Sequence, residues 1–352
     1  MMSYPTSGLR GFHPGWPGLA LGTSGVAVAG LVDPWPGTEI DRRLGSVVAG
    51  VAIVATIAMF AVTVVRMFRH PAAVRDDLRH PVNGALLGTS PASLIVLALV
   101  VAQLGMLDSI SAGIAAPVAT ALVVGGVIAS LGLGMSFFAG VVGHRELPIQ
   151  MISGVWFVPV VVLVIVPSVM VRVLALSSAL HEPTVEALSL AAWGAGMFLF
   201  VFLGAIVGWR LITQPPPPAQ TIASWFIWLA PASAGALGFV AAVRMLQTDL
   251  AGGAAAAELA VRVVATAMWG FAAWWLGFAL LQVARHRREM HFDIGTWGFT
   301  FPLGAFVALG AELSRLWDAD VFSVVAVAVW IVLMVLWVWL SARSMRMLVA
   351  RS

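Results

Sequence analysis

Ten apolar stretches, each long enough to cross a lipid bilayer, follow one another along this chain, and proline falls in every second one. They run approximately from Gly15 to Val32, Leu44 to Val65, Val82 to Leu107, Ile114 to Val142, Met151 to Leu176, Ala187 to Val207, Ile222 to Val243, Ala254 to Val283, Ile294 to Ala311 and Val321 to Leu340. A helix needs about 20 predominantly apolar residues to cross the hydrocarbon core. The pattern therefore predicts a polytopic, all-α integral membrane protein. A hydrophobic share of 61% against 10% charged residues describes the same solvent, lipid. One membrane domain is expected over residues 15–345, between short tails at 1–14 and 346–352. The first span is followed by so many others that it is expected to be retained rather than cleaved as a signal peptide.

The prolines are Pro17 in the first span, Pro91 in the third, Pro159 and Pro167 in the fifth, Pro231 in the seventh and Pro302 in the ninth. The even-numbered spans have none in their interiors, and Pro117 stands only at the start of the fourth. Proline removes a backbone hydrogen bond and kinks a helix, and in lipid the freed carbonyls must find neighbouring helices, hydroxyls or water. Broken helices thus belong around a central path, and unbroken ones outside, facing lipid.

All 19 basic side chains are arginines, and they divide unevenly between the two sets of loops. One set holds 13, at positions 10, 66, 69, 75, 79, 145, 210, 285, 287, 288, 343, 346 and 351; the other holds 6, at 42, 43, 172, 244, 262 and 315. The poorer set also carries Asp33, Asp108, Glu182, Asp249, Asp318 and Asp320. The positive-inside rule then predicts both termini on the cytoplasmic side of the cell membrane. The same bias explains a high isoelectric point without nucleic acid as a partner. The run ARHRREMH around Arg285–Arg288 is read as loop charge, with contact to anionic lipid headgroups as the alternative.

No Asp, Glu or His falls near the middle of any span, where a proton-coupled carrier usually places such a group. A built-in proton relay is therefore not expected. The seven histidines, at 13, 70, 80, 144, 181, 286 and 291, fall in loops or tails. His286 and His291 are five apart, off the spacing by which one helix presents two ligands. With no cysteine either, neither a metal nor another cofactor is expected. Arg172 and Arg262 sit near span ends, where long side chains can reach water; Glu258 is a turn before Arg262 and forms an expected i,i+4 pair. Arg172, on a proline-bearing span, is also a candidate for positive potential at a pore mouth. Trp209, Trp225, Trp228, Trp317 and Trp339 read as an interfacial belt, and Pro215 to Pro218 as a stiff connector.

The proline-bearing spans resemble a known family. PGWPGLALGTSGVAVA, RHPVNGALLGTSPASLIVLALV, GVWFVPVVVLVIVPSVMV, PPAQTIASWFIWLAPASAGALGF and WGFTFPLGAFVAL follow in the order of the signature segments of the tellurite-resistance/dicarboxylate transporter family. That family includes bacterial tellurite-resistance channels, fungal malate and sulfite transporters and plant guard-cell slow anion channels. The run Trp297 to Pro302 is the most specific piece. The resemblance implies ten helices arranged as five hairpins, the odd ones lining a pore and the even ones forming an outer ring, in a homotrimer with one pore per subunit. It also implies a phenylalanine on the ninth helix that closes the pore. Phe301 matches that position, and Phe299, on a different helix face, is the alternative.

Small residues on the inner spans are candidates to line the path: Gly22, Thr23, Gly88, Thr89, Ser90, Ser168, Ser233, Gly235 and Gly304. The competing reading for each is close helix packing. No inner-span cation sits at mid-depth to grip a dicarboxylate. The leading expectation is a gated channel for small anions, and the alternative is a secondary carrier or efflux transporter for C4-dicarboxylate, sulfite or tellurite-related anions. An intramembrane enzyme has no buried nucleophile–base pair to support it.

Overall fold

A computed structural model of the chain describes residues 8–143, 147–178, 182–215, 219–246 and 253–349. Arg145, Arg351, His144, His181, Asp249 and most of the proline run, 216–218, lie outside them. Every regular element among the described residues is helical. Nine are long and apolar enough to cross a membrane: α2 (Ile40–Arg69), α3 (Asn83–Met106), α4 (Ala112–Val142), α5 (Gly154–Leu176), α6 (Pro183–Thr213), α7 (Ala223–Met245), α8 (Ala254–His286), α9 (Ile294–Trp317) and α10 (Asp320–Met347). The first apolar stretch forms a shorter helix, α1 (Pro17–Leu31), of 15 residues. At 1.5 Å per residue it is about 22 Å long, less than a bilayer core of about 30 Å. Protein rather than lipid surrounds it, since 12 of its residues are buried.

Burial alternates along the chain. The most apolar window is 78–83% buried in α3, α5, α7 and α9, and 17–33% buried in α2, α4, α6, α8 and α10. Each buried helix packs on the next, α9 returns to α1, and each also packs against the exposed helix that follows it. Small residues set the closest approaches. A Cβ on Gly30 of α1 would lie 2.8 Å from the Gly45 backbone of α2, so those two helices meet backbone to backbone.

The prolines fall at the starts of helical segments. Pro17 is the first residue of α1. Pro91, Pro231 and Pro302 are each third in a helical segment that restarts after a break, at Thr89, Leu229 and Thr300. Pro159 and Pro167 are second in the segments starting at Val158 and Val166, with a 3-10 turn between. In the first turn a backbone N–H has no partner within the helix, so proline loses nothing there and marks a beginning. Every buried helix except α1 is thus built in pieces.

Four of the buried helices end in a left-handed residue: Asp33 (φ 59°) after α1, Asp108 (φ 54°) after α3, Ser178 (φ 54°) after α5 and Asp318 (φ 49°) after α9. Aspartate tolerates this conformation better than most residues. At the opposite end, Arg66 is not a loop charge but is buried against Asp77 at 2.6 Å, their side chains 4% and 8% exposed. Asn83 Nδ2 donates to the other Asp77 oxygen at 2.9 Å, and Arg66 Nη2 donates to the Arg10 carbonyl at 3.4 Å. This network fastens the N-terminal segment, α2, the helix Pro71–Arg79 and α3 together.

Candidate functional site

The five buried helices enclose two cavities on one axis. The larger, about 770 Å³, is lined by the early part of each helix, up to Leu21, Ala92, Val162, Ala230 and Pro302. The smaller, about 30 Å³, begins about one turn later on four of the helices, at Gly25, Val96, Ile165 and Ala234, and at Phe301 on α9. Phe301 borders both. Its place is set by α1, whose Gly25 is so close that a Cβ there would lie 2.8 Å from Phe301 Cα. Phe299 borders neither cavity; it is 7% exposed, and its ring meets that of Phe226 edge to face at 4.5 Å.

Of the small residues expected along the path, Thr89 lines the larger cavity, and Ser168 and Gly304 the smaller. The others line neither cavity. Gly22 lies against Thr300 and Trp297, Gly88 against Pro159, and Gly235 against Met197 and Met268, which are packing roles. The Thr23 hydroxyl donates to the Leu19 carbonyl at 2.8 Å and accepts from Trp337 Nε1 at 3.2 Å. Ser90 and Ser233 are buried.

The polar lining of the large cavity was not legible from the apolar spans. It includes His13, His80, Asn83, Gln150, Ser153, Thr221, Ser224 and Asp293, with no arginine among its lining residues. Backbone N–H groups donate to Nδ1 of both histidines, Gly15 to His13 at 3.0 Å, and Val82 and Asn83 to His80 at 3.3 and 3.2 Å. Asp293 caps α9: it accepts from Thr296 N at 3.2 Å, and Thr296 Oγ1 accepts in return from the Asp293 backbone. The spacing DIGT carries that box in the sequence. Burial holds the Asp293 carboxyl above the usual carboxylate range, with the bonds from Thr296 and Gly295 opposing it.

Beyond the small cavity the axis ends in charge. Arg172 donates to Gln103 Oε1 at 2.7 Å and to the Ser168 carbonyl at 2.6 Å. The expected pair of Arg262 with Glu258 is present at 2.6 Å. Helix α9 runs past the expected end at Ala311, which brings Glu312 into the bundle, paired with Arg244 and Arg315.

Sequence comparison agrees with this architecture. An uncharacterized transporter of Methanocaldococcus jannaschii is 24% identical, over 94% of this chain and 91% of its own. Proteins named sulfite efflux pump from Arthroderma otae and Trichophyton rubrum are 25% and 24% identical, over 95% and 94% of this chain and 90% and 89% of theirs. Residues 11–345 match the voltage-dependent anion channel (SLAC1) family, and the chain belongs to that family of membrane transport proteins.

Proposed function

We propose that the chain passes small anions along the axis of its two cavities, through a pore occluded at Phe301. The observation that carries this reading is the position of one half-buried phenyl ring between a wide vestibule, mostly apolar with several polar side chains in its lining, and a small cavity on the same axis. An apolar ring across a narrow lumen excludes water and ions until it moves aside. Anions are favoured over cations by the helix restarts. Segments beginning at Pro17, Thr89, Val158, Leu229 and Thr300 turn their N-termini toward the vestibule, and helix N-termini carry partial positive charge. With no arginine among the lining residues of either cavity, an anion is held loosely enough to leave. Discrimination then follows the ease of shedding water.

In this reading the ten helices form five hairpins around a pseudo-fivefold axis, odd inside and even outside, and both termini are cytoplasmic in the cell membrane. Three chains assemble, each with its own pore. The names of the fungal relatives favour a second reading, export of sulfite, itself a small anion. Replacing Phe301 with alanine in proteoliposomes tests the proposal. Expected is an anion current above wild type with unchanged helix content. An unchanged current from a folded Phe301→Ala protein refutes occlusion by this ring. Reversal at the anion's Nernst potential supports passive flow, whereas electrically silent uptake that follows a proton gradient supports a carrier.

A further inference from the structure

At the end of the axis away from the vestibule, all five buried helices contribute to one chain of polar contacts. Arg172 of α5 holds Gln103 of α3, whose Nε2 donates to the Leu31 carbonyl of α1 at 3.4 Å. Arg315 of α9 donates to the adjacent Val32 carbonyl at 3.1 Å and to Glu312 Oε2 at 3.1 Å. Glu312 Oε1 receives Arg244 of α7. Val32, Gln103, Arg172 and Glu312 each stand four residues, about one turn, beyond Val28, Leu99, Ser168 and Ala308, which line the small cavity. The contacts therefore close over that cavity.

Among the described residues, three guanidiniums gather around one paired carboxylate, an excess of two positive charges. Arg172 stands within electrostatic reach of Glu312, Arg244 and Arg315, yet its own hydrogen-bond partners are a neutral amide and a carbonyl. The carboxylate nearest in sequence to Val32, Asp33, is engaged by Arg42. Arg244 and Arg315 are 48% and 51% exposed, whereas Glu312 is 9% exposed, so the cations face solvent above the carboxylate. Glu312 uses both oxygens to bridge two guanidiniums. An anion with several oxygens matches that geometry, whereas a halide offers a single centre.

We propose that Arg172, Arg244 and Arg315 form a binding site for a small divalent oxyanion at this end of the path, with Glu312 as the resident carboxylate that sets its affinity. The proposal rests on the anion-path reading for its purpose, but not for its test. Radiolabelled sulfate is titrated onto the detergent-purified chain at constant ionic strength, with chloride as competitor. Expected is one saturable site per chain that chloride displaces poorly. Arg172→Gln should weaken it tenfold or more, Arg172→Lys by less, and Glu312→Gln should tighten it several-fold as the local charge rises. The absence of saturable binding to wild type, wild-type affinity in folded Arg172→Gln, or weaker binding in folded Glu312→Gln overturns the proposal. If Arg172→Gln does not fold, the wild-type and Glu312→Gln titrations decide. Equilibrium binding requires no conduction, so the two readings fail separately. Sulfate bound by a chain that carries no anion current leaves the site standing and the path refuted. Current through Phe301→Ala without sulfate binding does the reverse.

Discussion

The carboxylate of Asp77 is what allows Arg66 to stay inside the protein. Removing one partner of a buried ion pair strands the other charge, at a cost of about 3–5 kcal/mol. Asp77→Ala should therefore lower the thermal unfolding midpoint sharply, and Asp77→Asn by less, because its amide oxygen still accepts a hydrogen bond. A midpoint within a degree of wild type for Asp77→Ala would show that water compensates Arg66. Asp293 makes a pH-dependent contribution. Its raised folded value means the folded chain keeps a proton that the unfolded chain has lost above about 3.9. Stability is then greatest below that value, falls as pH rises to the raised one, and is level beyond it. Asp293→Asn keeps the cap and should flatten this part of the profile, as read by unfolding midpoints across acid pH. At this scale the sequence was a partial guide. Phe301 stood out because family pattern and proline neighbour coincide, whereas Arg66 looked like loop charge because its partner lies on a separate short helix. Glu312 was missed because its span continues past Ala311 once Arg244 and Arg315 neutralise it.

At the scale of elements, α1 and α9 approach through two glycines that leave no room for a methyl group. A Cβ on Gly25 would lie 2.8 Å from Phe301 Cα, and one on Gly304 would lie 2.5 Å from the Gly25 carbonyl oxygen. Both obstacles are backbone, so Gly25→Ala must part the helices, at a cost of about 1–3 kcal/mol, and move Phe301 with them. Gly50, where an added Cβ would meet nothing within 4 Å, is the control: Gly50→Ala should hold or raise stability by up to about 1 kcal/mol. A Gly25→Ala protein as stable as Gly50→Ala would mean the contact relaxes freely. The alternation of buried and exposed helices was legible because proline is a local, covalent signal. The residue at which each segment restarts was not, since that depends on where the preceding piece of helix or turn ends. The recurring aspartate in LVD, MLD and LWD was equally visible, and its role became clear only with the left-handed dihedrals of Asp33, Asp108 and Asp318.

For the whole molecule, the exposed helices leave a girdle of large apolar side chains, among them Val54, Ile128, Phe198, Trp274 and Val335. Lipid suits such a surface, and so does a second copy of the chain, and burial within one chain cannot distinguish them. The proposed path is the same in either case: both cavities and Phe301 lie among helices of a single chain, so assembly is not needed to complete it. This separates assembly from conduction in a measurable way. A detergent-corrected mass of three chains is expected, and when wild-type and Phe301→Ala chains are mixed, current should rise in proportion to the fraction of variant subunits. A path shared at the centre of the trimer predicts instead a steep dependence, with little current until most subunits carry the substitution. An active monomer would remove the trimer and leave the path within each chain, because the residues that line it come from α1, α3, α5, α7 and α9 of one chain, the segments that lead into them, and Met347 of α10.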